Sequence, residues 1–198
     1  GPFQVGPGGK GSNQSVAAAR AGGDVHFISR LGRDAFADIA RATWAAAGVT
    51  PVITEDPESY TGAAYIFIED ATGNNAIIIS PGAAARISAA DIEAQTALIS
   101  GASVFITQLE QPMPAALRAL QIARAGGATT ILNPAPAAPL TDEMLALCDY
   151  VTPNESETET LTGLPVTTLP EAEAAADFFF NDTATTEIYT LGEKGALL

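Results

Sequence analysis

Three short β-branched runs, Val104-Phe105-Ile106-Thr107, Thr129-Thr130-Ile131-Leu132 and Tyr150-Val151-Thr152, alternate with helical segments over Pro114 to Ala125 and Thr141 to Leu147. Parallel neighbours need a crossover between them, so strands alternating with helices specify βαβ units and a mostly parallel sheet. Ligands of such sheets bind beyond the carboxyl ends of the strands. Upstream, Val25-His26-Phe27-Ile28-Ser29 reads as a further short strand. A helix is predicted from Asp34 to Ala47, where Phe36, Ile39, Ala40, Thr43, Trp44 and Ala47 recur at helical spacing and Gly48 ends the pattern. Between the two regions, Ala63 to Glu69 and Ala76 to Ser80 flank the turn formers Asp70-Ala71-Thr72-Gly73-Asn74-Asn75, which predicts a β-hairpin. A chain of 198 residues is long enough for one domain with a real core and needs no disulfide or metal staple.

Charge narrows the partners. Nine Lys plus Arg against 23 Asp plus Glu leave a net charge of −14, which repels nucleic acid and anionic membrane alike. Any nucleotide phosphate must be met locally, by Lys10, by helix N-termini and by a divalent cation. Cys148 is the single cysteine, so there is no disulfide framework, and its place in Leu145-Ala146-Leu147-Cys148 predicts a buried thiol in a reducing, cytoplasmic setting. No apolar run approaches the roughly 18 residues of a membrane span, and no basic-then-apolar leader is present. The lone His26 and Trp44 read as structural. The sequence begins without Met and enters directly on a loop, which predicts a missing upstream segment.

That loop, Gly6-Pro7-Gly8-Gly9-Lys10-Gly11-Ser12-Asn13-Gln14, runs into the alanine-rich stretch Ser15 to Ala21. Glycines let a ligand approach backbone N–H groups, and a following helix adds free donors and the positive end of its dipole. The loop is not a P-loop, because Gln4 stands where the first glycine belongs and Gly11 follows Lys10. Gly6, Gly8 and Gly11 satisfy G-x-G-x-x-G, but Gly1 to Val5 is a poor strand to precede a dinucleotide fingerprint. A cradle for a phosphate or a hydroxyl-rich ligand and a plain connecting turn both stand.

Polar residues gather after the predicted strands: Gln108 and Glu110, then Asn133, then Asn154 and Glu157. Each has a plain reading. Asn133-Pro134-Ala135-Pro136 is a strand-stopping turn, and Asn154-x-x-Glu157 has the spacing of a capping box. Three polar strand ends in succession point to a shared ligand cleft.

In these motifs the chain resembles the ribokinases, within the wider PfkB group of ATP-dependent carbohydrate kinases that also holds fructokinases and adenosine kinases. Gly8-Gly9-Lys10-Gly11-Ser12-Asn13-Gln14 resembles the group's first signature, and Thr190-Leu191-Gly192-Glu193-Lys194-Gly195 its nucleotide-binding turn. Leu132-Asn133-Pro134-Ala135-Pro136-Ala137 and Thr152-Pro153-Asn154-Glu155-Ser156-Glu157 are similar to ribokinases in particular. The resemblance implies a single α/β domain over residues 1–198, a three-layer αβα fold with a mostly parallel sheet. A small β lid would be built from strands near 1–7, around Phe3 to Val5, and near 60–80, and through it two subunits would pair as a homodimer.

It also implies ATP-dependent phosphorylation of D-ribose at its primary hydroxyl, giving ribose 5-phosphate, with Mg²⁺ and with K⁺ as activator. Gly9, Lys10, Gly11 and Asn13 would contact the sugar, and Glu110 would accept hydrogen bonds from its hydroxyls. Asn154 and Glu157 would serve the phosphates and, through water, Mg²⁺. Thr190, Leu191, Gly192, Glu193, Lys194 and Gly195 would line the nucleotide. A kinase for another sugar or a nucleoside, of fructokinase or adenosine kinase type, and a non-catalytic sugar- or nucleotide-binding module are the alternatives. The group's catalytic aspartate belongs to a Gly-Ala-Gly-Asp motif that would follow Leu198, and its early sugar-binding Asn and Asp would precede Gly1. The resemblance therefore implies a chain truncated at both ends, with negligible kinase activity by itself. Two departures stand out. Ala84 occupies a position where the group usually has Asn. The run Phe178 to Tyr189, with three phenylalanines before a Thr-rich stretch, resembles translated sequencing-adapter sequence and reads as an artefact rather than evolved protein.

Overall fold

The computed structural model describes residues 3–180 and the short strands 186–187, 189–190 and 196–197, with side chains described as far as residue 176. The chain divides into two compact units, residues 1–87 and 88–198.

In the first unit, α1 (Lys10–Arg20) leads to β1 (His26–Leu31), α2 (Ala35–Ala47) and β2 (Thr50–Glu55). β1 and β2 pair in parallel from His26↔Thr50 to Leu31↔Glu55, with α2 as the crossover. The predicted limits of α2 hold for a local reason. Asp34 caps its first turn, accepting from the Ala37 amide at 2.9 Å, and Gly48 ends it in the left-handed conformation at φ 80°. Trp44 is 2% exposed and packs edge-on against Phe27, with ring centroids 5.1 Å apart. Its indole N–H donates to Ser12 Oγ at 2.8 Å, which ties α1 to α2. β2 is not among the predicted strands: its β-branched run Val52-Ile53-Thr54 follows Pro51, which lacks an N–H and weakens the signal, and the proline is tolerated next to the strand's first position.

The hairpin follows as β3 (Thr61–Ile68) and β4 (Asn75–Gly82), antiparallel from Thr61↔Gly82 to Ile68↔Asn75. A 3₁₀ turn over Ala83–Arg86 holds Ala84. Thr61 anchors the root: its N–H donates to Asp34 Oδ2 at 2.7 Å and its Oγ1 accepts from the Gly32 amide at 3.0 Å. Donation from the Thr61 amide is the main reason the Asp34 carboxyl sits below its usual range, with desolvation opposing. Asp56, 3% exposed, pairs with Arg86 Nε at 3.2 Å. The expected strand near Phe3 to Val5 does not form, since residues 3–9 carry no regular structure. Pro7 and the flanking glycines supply neither a continuous ladder of donors nor side chains to pack. Phe3 instead joins the hairpin through its ring, stacked on Tyr65 with centroids 6.2 Å apart.

The second unit opens with two short helices the sequence reading did not anticipate, α3 (Ala89–Glu93) and α4 (Thr96–Ser100), each too brief for a periodic pattern. Then come β5 (Val104–Thr107), α5 (Met113–Gly126), β6 (Thr129–Leu132), α6 (Asp142–Ala146), β7 (Tyr150–Val151), α7 (Glu155–Thr162), α8 (Leu169–Phe180) and β8 (Thr186–Glu187). The strands form one parallel sheet in the order β5-β6-β7-β8; the alternation predicts the first three, whereas β8 lies in the run 178–189, where the sequence gives no strand signal. β9 (Tyr189–Thr190) and β10 (Ala196–Leu197) pair antiparallel. Of the run 178–189, residues 181–185 and 188 lie outside the described residues.

Leu109, Ala116, Leu120, Leu132, Met144, Cys148 and Val151 make the core of this unit. Cys148 is 2% exposed, and burial pushes its thiol up to about 12, so it is the inert buried cysteine the sequence predicts. Its neighbour Asp149 accepts from the Thr130 amide at 2.8 Å and pairs with Arg124. Burial alone would raise the Asp149 carboxyl; the Thr130 and Arg124 donors outweigh it and set it lower than usual. A carboxyl depressed by folding contributes stability above its unfolded value, about 3.9, and loses it as pH falls through the folded value. Asp149→Asn is therefore expected to flatten the acid side of the stability profile below about pH 4, read from urea midpoints across that range. An acid limb as steep as in the parent would contradict the assignment.

Candidate functional site

The glycine-rich segment folds differently from the expected loop. α1 begins at Lys10 rather than near Ser15, so Lys10, Gly11, Ser12 and Asn13 form its first turn. Gly9 makes the sharp entry, with φ 92° and ψ 132°, and its carbonyl accepts from the Asn13 amide at 2.9 Å. As N-cap it has no side chain with which to close the helix end. The positive end of the helix dipole suits an oxygen-rich ligand. Lys10 and Gly11 are half-buried and Gly9 and Asn13 exposed. Ser12 is buried; its Oγ accepts from Trp44, and its carbonyl accepts from Ser15 Oγ at 2.8 Å. The end of the helix that carries Lys10 and Asn13 is thus anchored from beneath. Asn13 also lines a cleft of about 300 Å³ with Ser12, Arg20 and Thr43.

In the second unit the polar residues stand at the carboxyl ends of neighbouring strands, where an open parallel sheet binds its ligands. Backbone bonds lock these ends together: the Asn133 amide donates to the Thr107 carbonyl, Thr152 to Leu132, and Leu109 to Ala135, at 2.9, 2.9 and 3.0 Å. Asn133 Nδ2 donates to the Thr152 carbonyl at 2.8 Å, joining the end of β6 to the end of β7. Glu110 is exposed on the loop between β5 and α5, and Gln108 in the same loop is buried.

Asn154 and Glu157 complete the capping box. Asn154 Oδ1 accepts from the Glu157 amide at 2.8 Å, and Glu157 Oε2 accepts from the Asn154 amide at 3.0 Å. The plain reading of this pair is realised. The box engages one oxygen of each side chain, and Asn154 Nδ2 and Glu157 Oε1 take no part in it. Glu157 is 8% exposed, in the first turn of α7 where a carboxylate is favoured by the dipole.

Among the described residues no three His, Cys, Asp or Glu side chains gather to hold a metal. The carboxylate oxygen that Glu157 keeps outside the capping box is of the kind that would reach a hydrated Mg²⁺ through water. Thr190 lies in β9; Leu191, Gly192, Glu193, Lys194 and Gly195 fall outside the described residues. His26 is exposed at the first position of β1, at the opposite end of that strand from Leu31. Among the described residues no helix is long and apolar enough to cross a membrane. Sequence reasoning gives no role to Ser12, although it lies within the glycine-rich motif, or to Gln111, which belongs to no periodic or spaced pattern.

Over residues 1–198 the sequence matches the pfkB family carbohydrate kinases. It is 43% identical over 191 residues to the bifunctional ribokinase/ribose-5-phosphate isomerase A of Fructilactobacillus sanfranciscensis, covering 96% of this chain and 35% of that protein. It is 40% identical over 190 residues to the ribokinase of Staphylococcus aureus, covering 95% of this chain and 62% of that one. Among solved structures, Arabidopsis thaliana ribokinase complexed with ribose and ATP matches with a TM-score of 0.87 at 27% identity, over 98% of this chain and 63% of that chain. The chain therefore spans 35% and 62% of the two curated relatives. Its fold class is the expected ribokinase-like three-layer αβα with a mostly parallel sheet.

Proposed function

As the chain belongs to the pfkB family of carbohydrate kinases, we propose that the protein transfers the γ-phosphoryl group of ATP to the primary hydroxyl of D-ribose, giving ribose 5-phosphate. The observation that carries this reading is the row of polar strand ends at β5, β6 and β7 in a chain 40% identical to a ribokinase. Gly9, Lys10, Gly11 and Asn13 hold the sugar at the start of α1, with its dipole, one ammonium and one amide side chain. Glu110 accepts from sugar hydroxyls, a charge-assisted contact that orients the acceptor for in-line attack. Asn154 donates its Nδ2 hydrogens to the phosphates while its Oδ1 keeps the cap. Glu157 orients water on Mg²⁺ through the oxygen outside the capping box. Thr190, Leu191, Gly192, Glu193, Lys194 and Gly195 line the nucleotide, with K⁺ as activator. Bound Mg²⁺ supplies charge neutralisation to the phosphates, the main requirement of phosphoryl transfer.

The same reading treats residues 1–198 as one domain and the β3–β4 hairpin as its lid. Tyr65, Ile66, Phe67, Ile68, Ile77, Ile78 and Ile79 are each more than half exposed on that hairpin, an apolar surface that supports pairing of two subunits. The buried free thiol of Cys148 supports a cytoplasmic setting.

The decisive test is ADP release by the protein expressed from its complete open reading frame, with ribose, fructose, adenosine and no sugar. Ribose-dependent turnover is expected. Preference for fructose or adenosine would move the protein to another branch of the family, and ribose binding without ADP release would make it a binding module. A second test separates the two duties of Asn154. Asn154→Asp keeps a good N-cap and is expected to leave the thermal midpoint unchanged, whereas alanine costs about 1 kcal/mol. Aspartate also turns a donor into an anion facing phosphate, so the KM for ATP is expected to rise about 10- to 100-fold. An unchanged KM for ATP would leave Asn154 with capping alone.

A further inference from the structure

We infer that Gln111 is a positioning residue for the sugar acceptor: its side chain fixes the loop that carries Glu110. The inference rests on the proposed contact between Glu110 and the sugar.

Residues 108–112 link β5 to α5 without regular structure. One side of this loop is held from below. Leu109 is 9% exposed within the core, and its amide donates to the Ala135 carbonyl at 3.0 Å. Glu110, next in the chain, is exposed and lies in the loop. Gln111 holds the far side of that loop. Its Nε2 donates to Thr107 Oγ1 at 2.6 Å and to the Gln108 carbonyl at 2.5 Å. A primary amide has two hydrogens, and both are used here. The side chain thereby closes a ring from residue 111 back to 107 and 108, with Glu110 on the arc it spans.

The acceptors make this clasp consequential. Thr107 and Gln108 are 6% and 8% exposed; without Gln111 the Gln108 carbonyl keeps a longer bond from Thr107 Oγ1, at 3.4 Å, and Thr107 Oγ1 loses the donor from Gln111 at a site with little water to replace it. Pro112, at φ −56° and ψ 132°, sits at the N-cap of α5 and starts the helix after Gln111, which keeps Gln111 in the loop. With Leu109 pinned below and Gln111 folded back above, the backbone of Glu110 has both neighbours restrained. A carboxylate so held meets sugar hydroxyls without first losing loop freedom on binding.

The experiment compares Gln111→Ala, Gln111→Met, Glu110→Ala and the Gln111→Ala/Glu110→Ala double variant in the protein from the complete open reading frame, with ribose and ATP as probes. Methionine keeps the length and volume of glutamine without its donors, so it separates the clasp from simple packing. Both Gln111 variants are expected to raise the KM for ribose about 3- to 10-fold, the size of one lost hydrogen bond, with the KM for ATP unchanged. In the Glu110→Ala background, Gln111→Ala is expected to add nothing, because the residue acts through Glu110.

Four results would overturn the inference. They are an unchanged KM for ribose in the Gln111 variants while Glu110→Ala raises it, an equal rise in both KM values, full additivity in the double variant, and parent-like KM in Gln111→Met. If Glu110→Ala itself leaves the KM for ribose unchanged, the proposed sugar contact fails and the inference falls with it.

Discussion

Gly82→Ala is expected to lower the stability of the protein by about 2 to 6 kcal/mol, through two costs that fall on the same atom. Gly82 has φ 55° and ψ −137° as it turns from β4 into the following 3₁₀ turn, a conformation in which an L side chain costs about 1–3 kcal/mol. A methyl group there would also lie 2.4 Å from the Tyr60 carbonyl oxygen and 2.8 Å from the Gly62 nitrogen. Both are backbone atoms of the opposing strand and its approach, so no side chain can swing aside, and overpacking of this kind adds about 1–3 kcal/mol. Gly73→Ala is the control. It too has positive φ, 75°, but nothing lies within 4 Å of its added carbon, so only the backbone cost of about 1–2 kcal/mol is expected. Urea midpoints of the two variants measure the difference. Equal midpoints would mean that the strands at the hairpin root part freely.

Glu110→Ala is expected to raise the KM for ribose about 10- to 100-fold, because a hydrogen bond to a charged acceptor contributes about 1.5–3 kcal/mol. The KM for ATP is expected to stay at the parent value, since Glu110 is proposed to touch the sugar alone. Glu110→Gln keeps the acceptor oxygen without its charge and should fall between the two. Steady-state kinetics with ribose varied at saturating ATP provide the measurement. A KM for ribose within about twofold of the parent in Glu110→Ala, well under the effect of one hydrogen bond, would remove Glu110 from the sugar site.

Much of the architecture was legible because its signals are local. The alternation from Val104 to Thr152 predicts the β5–β6–β7 sheet to within a residue or two. Asp34 and Gly48 bracket α2 in the sequence as they do in the fold. The misses have equally local causes. Pro51 hides β2, and the short helices α3 and α4 span too few residues to show a period. The density of glycine around Lys10 reads as loop, since glycine in a helix costs about 1 kcal/mol relative to alanine. Burial of Ser12 against Trp44 overrides that preference, an interaction between residues 32 apart that no local pattern encodes.

At the site, the motifs placed Asn154 and Glu157 at a helix start but could not choose between cap and ligand. The structure makes the cap, and the atoms it leaves over are those the proposed function uses. Gln111 was illegible for the opposite reason: its role depends on a side chain turning back on its own loop, and its neighbours form no spaced motif.

The hydrogen bond from Trp44 to Ser12 has a practical side. Trp44 is the single tryptophan of the chain, and its indole N–H is bonded to the residue flanked by Gly11 and Asn13. The chromophore that dominates the ultraviolet emission of this protein is therefore coupled to the start of α1. Emission wavelength and quenching report the state of that helix end without an added label, and a fluorescence titration with sugar watches the proposed grip directly.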